Sequence, residues 1–199
     1  RLVVAVDLNV AITRVGLFKL SFVLPEGLEV EALSGPALNH WTEATENGQR
    51  AVTLHLSGRT MGEQRFTLTL AGAAPRAQAA WSVPRFLLRE ATRQTGELLL
   101  VPGKGIRLRA VERENATQLD PRSVGGLQPG TLAFRLLQED WTLRIGIEAL
   151  EPWVTAQAFQ EVTLREGQTL TRIGLRYRIE NAAVKQLRIR LPGLGDDLV

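Results

Sequence analysis

Residues 170–192, LTRIGLRYRIENAAVKQLRIRLP, decide how the chain is read. Ile173, Leu175, Tyr177 and Ile179 alternate with Arg172, Gly174, Arg176 and Arg178. Leu187, Ile189 and Leu191 then alternate with Arg188 and Arg190. A period of two sends alternate side chains to opposite faces of a strand, so each run presents one apolar and one basic face. Asn181 lies between the runs and favours a turn, because its side chain bonds nearby backbone. The expectation is strand, turn, strand. With a turn over 181–185, Arg178 would face Arg188 and Arg176 would face Arg190. Like charges directly opposite are destabilising, so neighbouring carboxylates, an acidic surface or a polyanion should offset them.

The same arrangement recurs near the start of the chain, in LNVAITRVGLFKLSFVLP at 8–25. Shifted by 167 positions without a gap, Leu8 falls on Leu175, Ile12 on Ile179, Leu20 on Leu187, Leu24 on Leu191 and Pro25 on Pro192. Val10 meets Tyr177 and Phe22 meets Ile189. Shared strand–turn–strand–Leu-Pro units point to a repeat, with 170–192 as the start of a further copy. The competing reading is that any two alternating segments in a Leu- and Val-rich chain align this well. The tandem arrangement resembles, at the level of fold, the large repetitive β proteins of bacterial envelopes. That resemblance implies an envelope or secreted location and says little about function.

Composition bounds the alternatives. The chain has 199 residues, 44% hydrophobic and 23% charged, which is ordinary for a folded domain. A net charge of +3 is not the excess of a dedicated nucleic-acid binder, and aromatic interleaving suited to single strands is missing. There is no cysteine, hence no disulfide or thiolate metal site. No apolar run reaches the length of a membrane-spanning helix, and no signal peptide is visible. The chain opens on Arg1 in strand-like sequence and closes on GDDLV. Both ends are expected to be cut points in a longer polypeptide.

Short alternating runs separated by turn signals cover nearly the whole chain. The first two runs, 2–12 and 17–24, are expected to pair across a turn at 13–16. Further runs lie near 28–33, 51–56, 65–70, 106–111, 131–137, 141–150 and 154–164. Turns are expected at Asn47-Gly48, Ser57-Gly58, Gly103-Lys104-Gly105 and Glu166-Gly167. Residues 71–80, AGAAPRAQAA, read as a connector between halves 1–75 and 76–199, with one helical turn as the alternative. Residues 83–101 read as strand, turn, strand, with a helix over RFLLREATRQ as the alternative. Residues 115–130 show no clear period. The fold class expected is all-β, an antiparallel β-sandwich, one large or two consecutive, with a barrel as the alternative.

Few residues suggest chemistry. His40 and His55 lack metal-site spacing, no GxSxG elbow occurs, and Gly103-Lys104-Gly105 lacks the remainder of a phosphate loop. Glu139-Asp140 reads as a turn and Asp196-Asp197 as a loop, since sequence neighbours do not converge like paired catalytic carboxylates. No cofactor or metal is implied. Trp141 and Trp81 are in phase with core positions. Trp41 in a loop-like stretch, and Trp153 at a strand boundary, are the candidates for sugar or partner contact. Arg172, Arg176, Arg178, Arg188 and Arg190 are the candidates for an acidic partner. The function expected is a non-catalytic module acting as scaffold, spacer or adhesive surface, its partners being adjacent repeats of the same polypeptide. A polysaccharide or an acidic surface is the second class of partner. A carbohydrate-binding module is the alternative reading, and a domain of a polysaccharide-acting enzyme the third.

Overall fold

The computed structural model describes residues 1–46 and 48–190. Among them the chain forms strands β1 (Leu2–Val23), β2 (Leu28–Ser34), β3 (Leu38–Glu46), β4 (Gln49–Gly72), β5 (Gln78–Ser82), β6 (Gly96–Leu100), β7 (Ile106–Glu114), β8 (Ala116–Leu119), β9 (Leu132–Leu136), β10 (Thr142–Ala149), β11 (Trp153–Arg165) and β12 (Gln168–Glu180). A single 3-10 turn covers Pro121–Val124, and there is no α-helix among the described residues. The architecture is all-β, in several small antiparallel sheets. None of these sheets closes into a barrel.

By its contacts the chain divides into two units. One comprises Arg1–Val101 with Leu108–Ile147, and the other Pro102–Arg107 with the segment from Glu148 onward. The first unit is built on β1 and β4, of 22 and 24 residues, several times the usual strand length. They pair antiparallel from Leu2 opposite Gly72 to Val23 opposite Ala51, with one interruption, Leu8 standing opposite Phe66 and Phe22 opposite Val52. The turn expected at 13–16 is therefore not formed, nor the one at Ser57-Gly58. Instead the ladder shifts register between Ile12 and Lys19, opposite a β4 stretch holding Gly58 and Gly62 at positive φ. A hairpin would have paired the two halves of β1 with each other. β4 offers each half its own alternating partner, so the interruptions in both strands become a local irregularity of one ladder.

Side chains from both halves of β1 and β4 share one core: Leu8, Leu20, Phe22 and Leu24 with Val52, Leu54, Phe66, Leu68 and Leu70. Burial of each such side chain contributes roughly 1.5–3 kcal/mol. β2 adds Leu28, and the loop after β5 adds Leu88. The Phe22 and Phe86 rings lie 4.5 Å apart, tilted by 50°. That loop corrects the strand, turn, strand reading of 83–101: only Gly96–Leu100 is a strand. Between them, side chains take backbone bonds that a strand or helix would use. Gln94 accepts from the Leu88 N–H and donates to the Phe86 carbonyl. Glu90 accepts from both the N–H and the hydroxyl of Ser21, each at 2.7 Å. The Arg89 N–H donates to the Ser21 carbonyl.

Three further expectations change. Trp41 lies in a strand, β3, rather than a loop. The connector 71–80 is partly strand, since β4 runs to Gly72 and β5 starts at Gln78. Residues 115–130 hold β8 and the 3-10 turn, which Asp120 caps by accepting from the Arg122 N–H. Trp141, just before β10, and Leu143, Ile145 and Ile147 within it are buried, as their phase implied. Of the turn pair Asn47-Gly48, Gly48 has φ +78; Asn47 lies outside the described residues.

The second unit is built on the β11–β12 hairpin. Glu166-Gly167 forms its turn, with Gly167 at φ +70, and each strand runs 13 residues. The Leu150 N–H donates to the Gly105 carbonyl beside it. Residues 182–190 form no strand, so the hairpin expected over 170–192 is replaced by β11–β12. A two-residue connection between long alternating runs is the more local pairing. Asn181, at φ 68, still ends β12 as a turn former. Leu191, Pro192 and Asp196-Asp197 lie outside the described residues.

Candidate functional site

The hairpin sorts its residues by face. On one side lie Val154, Ala156, Ala158, Gln160, Val162 and Leu164 of β11, opposite Ile179, Tyr177, Leu175, Ile173, Thr171 and Thr169 of β12. That face carries no charged residue. On the other lie Thr155, Gln157, Phe159 and Glu161, opposite Arg178, Arg176, Gly174 and Arg172. The apolar face is bare: Val154, Val162, Leu164, Ile173 and Ile179 are exposed, while Leu175 and Tyr177 are half-buried. No residue from 148 to 190 is buried. At ordinary strand spacings the ribbon is roughly 44 Å long and 10 Å wide. An isolated two-stranded hairpin is marginally stable in water.

The candidate arginines divide. Arg172 stands opposite Glu161, 3.9 Å away, and Arg178 bonds Glu180 at 2.7 Å. Arg176 stands opposite Gln157. Arg188 and Arg190 are exposed in the irregular segment, so neither faces Arg178 or Arg176. The opposition of like charges that called for neighbouring carboxylates, an acidic surface or a polyanion is absent among the described residues. Such exposed ion pairs contribute at most about 1 kcal/mol.

The two candidate tryptophans belong to different units. Trp41 stands opposite Leu54 and is 38% exposed; Trp153 opens β11 opposite Glu180 and is 63% exposed. His40 and His55 come together across β3 and β4, their rings stacked with centroids 4.4 Å apart. His55 Nε2 also lies 3.0 Å from Thr42 Oγ1. Parallel stacking does not converge ring nitrogens on one ion, and no group of three potential metal ligands occurs among the described residues. Two depressions of about 320 and 460 Å³ lie on the hairpin, one beside its turn and one around Phe159 and Gly174. Neither is walled by a buried residue.

The apolar face of β12 was legible in its alternation, but neither its pairing with the run 154–164 nor its exposure was. It also missed the Ser21–Glu90 clamp, whose residues are far apart in sequence and carry no motif. Compared with protein-family models, curated proteins and solved structures, the chain gives no match.

Proposed function

We propose that the chain is a non-catalytic module of a longer, repetitive polypeptide of the bacterial envelope or exterior, serving as scaffold or spacer. The single observation that carries this reading is the exposed apolar face of the β11–β12 hairpin, which a neighbouring module would cover. The sequence echo at 167 positions supplies the kind of neighbour. Within the module, the two halves of β1 and β4 would act as the layers of a β-sandwich, consistent with the single core to which both contribute.

Immunoblotting of fractionated source cells tests the reading. A band far above 21.9 kDa in the envelope or secreted fraction is the expected result. A soluble band at that mass would overturn it. The exposure of Trp153 favours a second reading, carbohydrate binding. Quenching of tryptophan fluorescence by a polysaccharide, lost in Trp153→Ala, is its test; no response across a broad panel would remove it.

A further inference from the structure

We infer that β12, together with residues 184–190, is a second β1, and that its missing partner is a strand of the β4 kind supplied by an adjoining module. The inference rests on the module reading above and names the partner.

The burial contrast comes first. Leu8, Ile12, Leu20 and Phe22 are buried, whereas Ile179, Leu187 and Ile189, three of their counterparts at the 167-residue offset, are exposed and Leu175 is half-buried. Residues 187–190, LRIR, carry strand alternation without forming a strand. The irregular stretch of β1 between Ile12 and Leu17 falls, at the same offset, on 179–184, where β12 stops. The two segments thus share their interruption as well as their apolar positions.

The edge also matches. Directly after β1 the Leu24 N–H donates to the Arg50 carbonyl, so this core-facing residue turns its backbone toward β4. Ser21, one of the alternate set, turns its backbone to Glu90 and Arg89 on the opposite edge. Register and buried parity are the same back to Leu8. In the hairpin, Arg165 and Gln168 flank a two-residue turn and form a pair, which such a turn makes a hydrogen-bonded one. The even-numbered residues of β12 therefore bond β11. Ile173, Leu175, Tyr177 and Ile179 turn their backbone to the free edge. For L-residues, the face a side chain takes fixes the edge its own N–H and C=O take. The free edge of β12 is accordingly the edge that β1 gives to β4.

Charge describes the partner further. In the β1 register, Arg178 would stand opposite Glu63 and Arg176 opposite Arg65. Arg176, Arg188 and Arg190 have no ion pair among the described residues. The fitting partner is a long alternating strand, interrupted by glycine near its middle, with a carboxylate where β4 has Arg65.

A segment transplant tests this. In one variant, residues 2–23 are replaced by a copy of 169–190, in phase. In a second, the copy starts one residue later, which puts the wrong face inward. The in-phase chain is expected to protect the β4 amides at least about 100-fold better than the slipped one in hydrogen exchange. Adding Arg65→Glu should raise the urea midpoint of the in-phase chain, by answering the transplanted Arg176. The same substitution should lower the midpoint of the parent, where Arg65 donates to Asn9 Oδ1 at 3.0 Å. Equal protection in both transplants, or an in-phase chain that fails to fold with and without Arg65→Glu, would overturn the inference. So would dimerisation of the parent abolished by Leu175→Lys, which would make a second copy the occupant. Failure of the transplant beside a large native polypeptide would leave the module reading intact.

Discussion

Ile12 and Ile179 hold matching places in their strands, yet Ile12 is 5% exposed and Ile179 is 44% exposed. The same side chain is core in one strand and surface in the other because β1 has β4, whereas among the described residues β12 pairs with β11 alone. Phe22→Ala should therefore destabilise the chain by about 3–5 kcal/mol, whereas Ile179→Ala should cost less than about 0.5 kcal/mol. Urea denaturation of the two variants checks the contrast. A large loss from Ile179→Ala in the isolated chain would mean that its face is already covered.

The edge of β1 at Ser21 is closed by the Glu90 carboxylate. Glu90→Ala leaves the N–H and hydroxyl of Ser21, a residue 8% exposed, without acceptors. The expected loss is about 1–3 kcal/mol. Ser21→Ala removes only the hydroxyl and should cost less. The order of the two denaturation midpoints is the test.

Arg50 reaches both oxygens of Glu29, at 2.9 and 2.6 Å, and Glu43 at 2.6 Å. These hydrogen bonds hold the Glu29 carboxyl below its ordinary value, outweighing the opposing effect of desolvation. A lowered carboxylate value contributes stability above the ordinary range, lost as pH falls through the folded value. NMR titration should place the Glu29 carboxyl below the ordinary glutamate value, and Arg50→Gln should return it toward that value.

Thr131 is buried, and its hydroxyl has no partner among the described residues. Replacement by the similarly shaped valine removes an unsatisfied group rather than a bond. Thr131→Val should leave stability unchanged or raise it by up to about 1 kcal/mol. A fall in the urea midpoint would reveal a partner for the hydroxyl.

Alternation made the all-β class legible, and phase placed Trp141, Leu143 and Ile145 in the interior. Partner choice was not legible. The runs 2–12 and 17–24 looked like two strands because glycine and polar residues at 13–16 imitate a turn. Whether such a stretch reverses the chain or only disturbs a ladder depends on a distant partner, here β4. The run 187–190 looked like a strand and is none, since alternation gives a segment two faces but cannot supply a neighbour. The loop at 85–95 was illegible for another reason: Gln94 bonds its backbone and Glu90 ties it to Ser21 of β1, roles that depend on three-dimensional proximity. Arg172, Arg176 and Arg178 share one face of β12 as read, but opposite β11 residues rather than other arginines, and Arg188 and Arg190 lie in no strand.

Hydrogen exchange on the native polypeptide, compared with the isolated chain, tests the central claim most directly. In the isolated chain the amides of Arg172, Arg176 and Arg178 face β11 and should be slower than those of Ile173, Leu175, Tyr177 and Ile179 at the free edge. In the native polypeptide the second set, with Leu187 and Ile189, should become protected as well. If these amides exchange equally fast in both, the edge and face of β12 have no partner, and the account of this chain as one module of an array is contradicted.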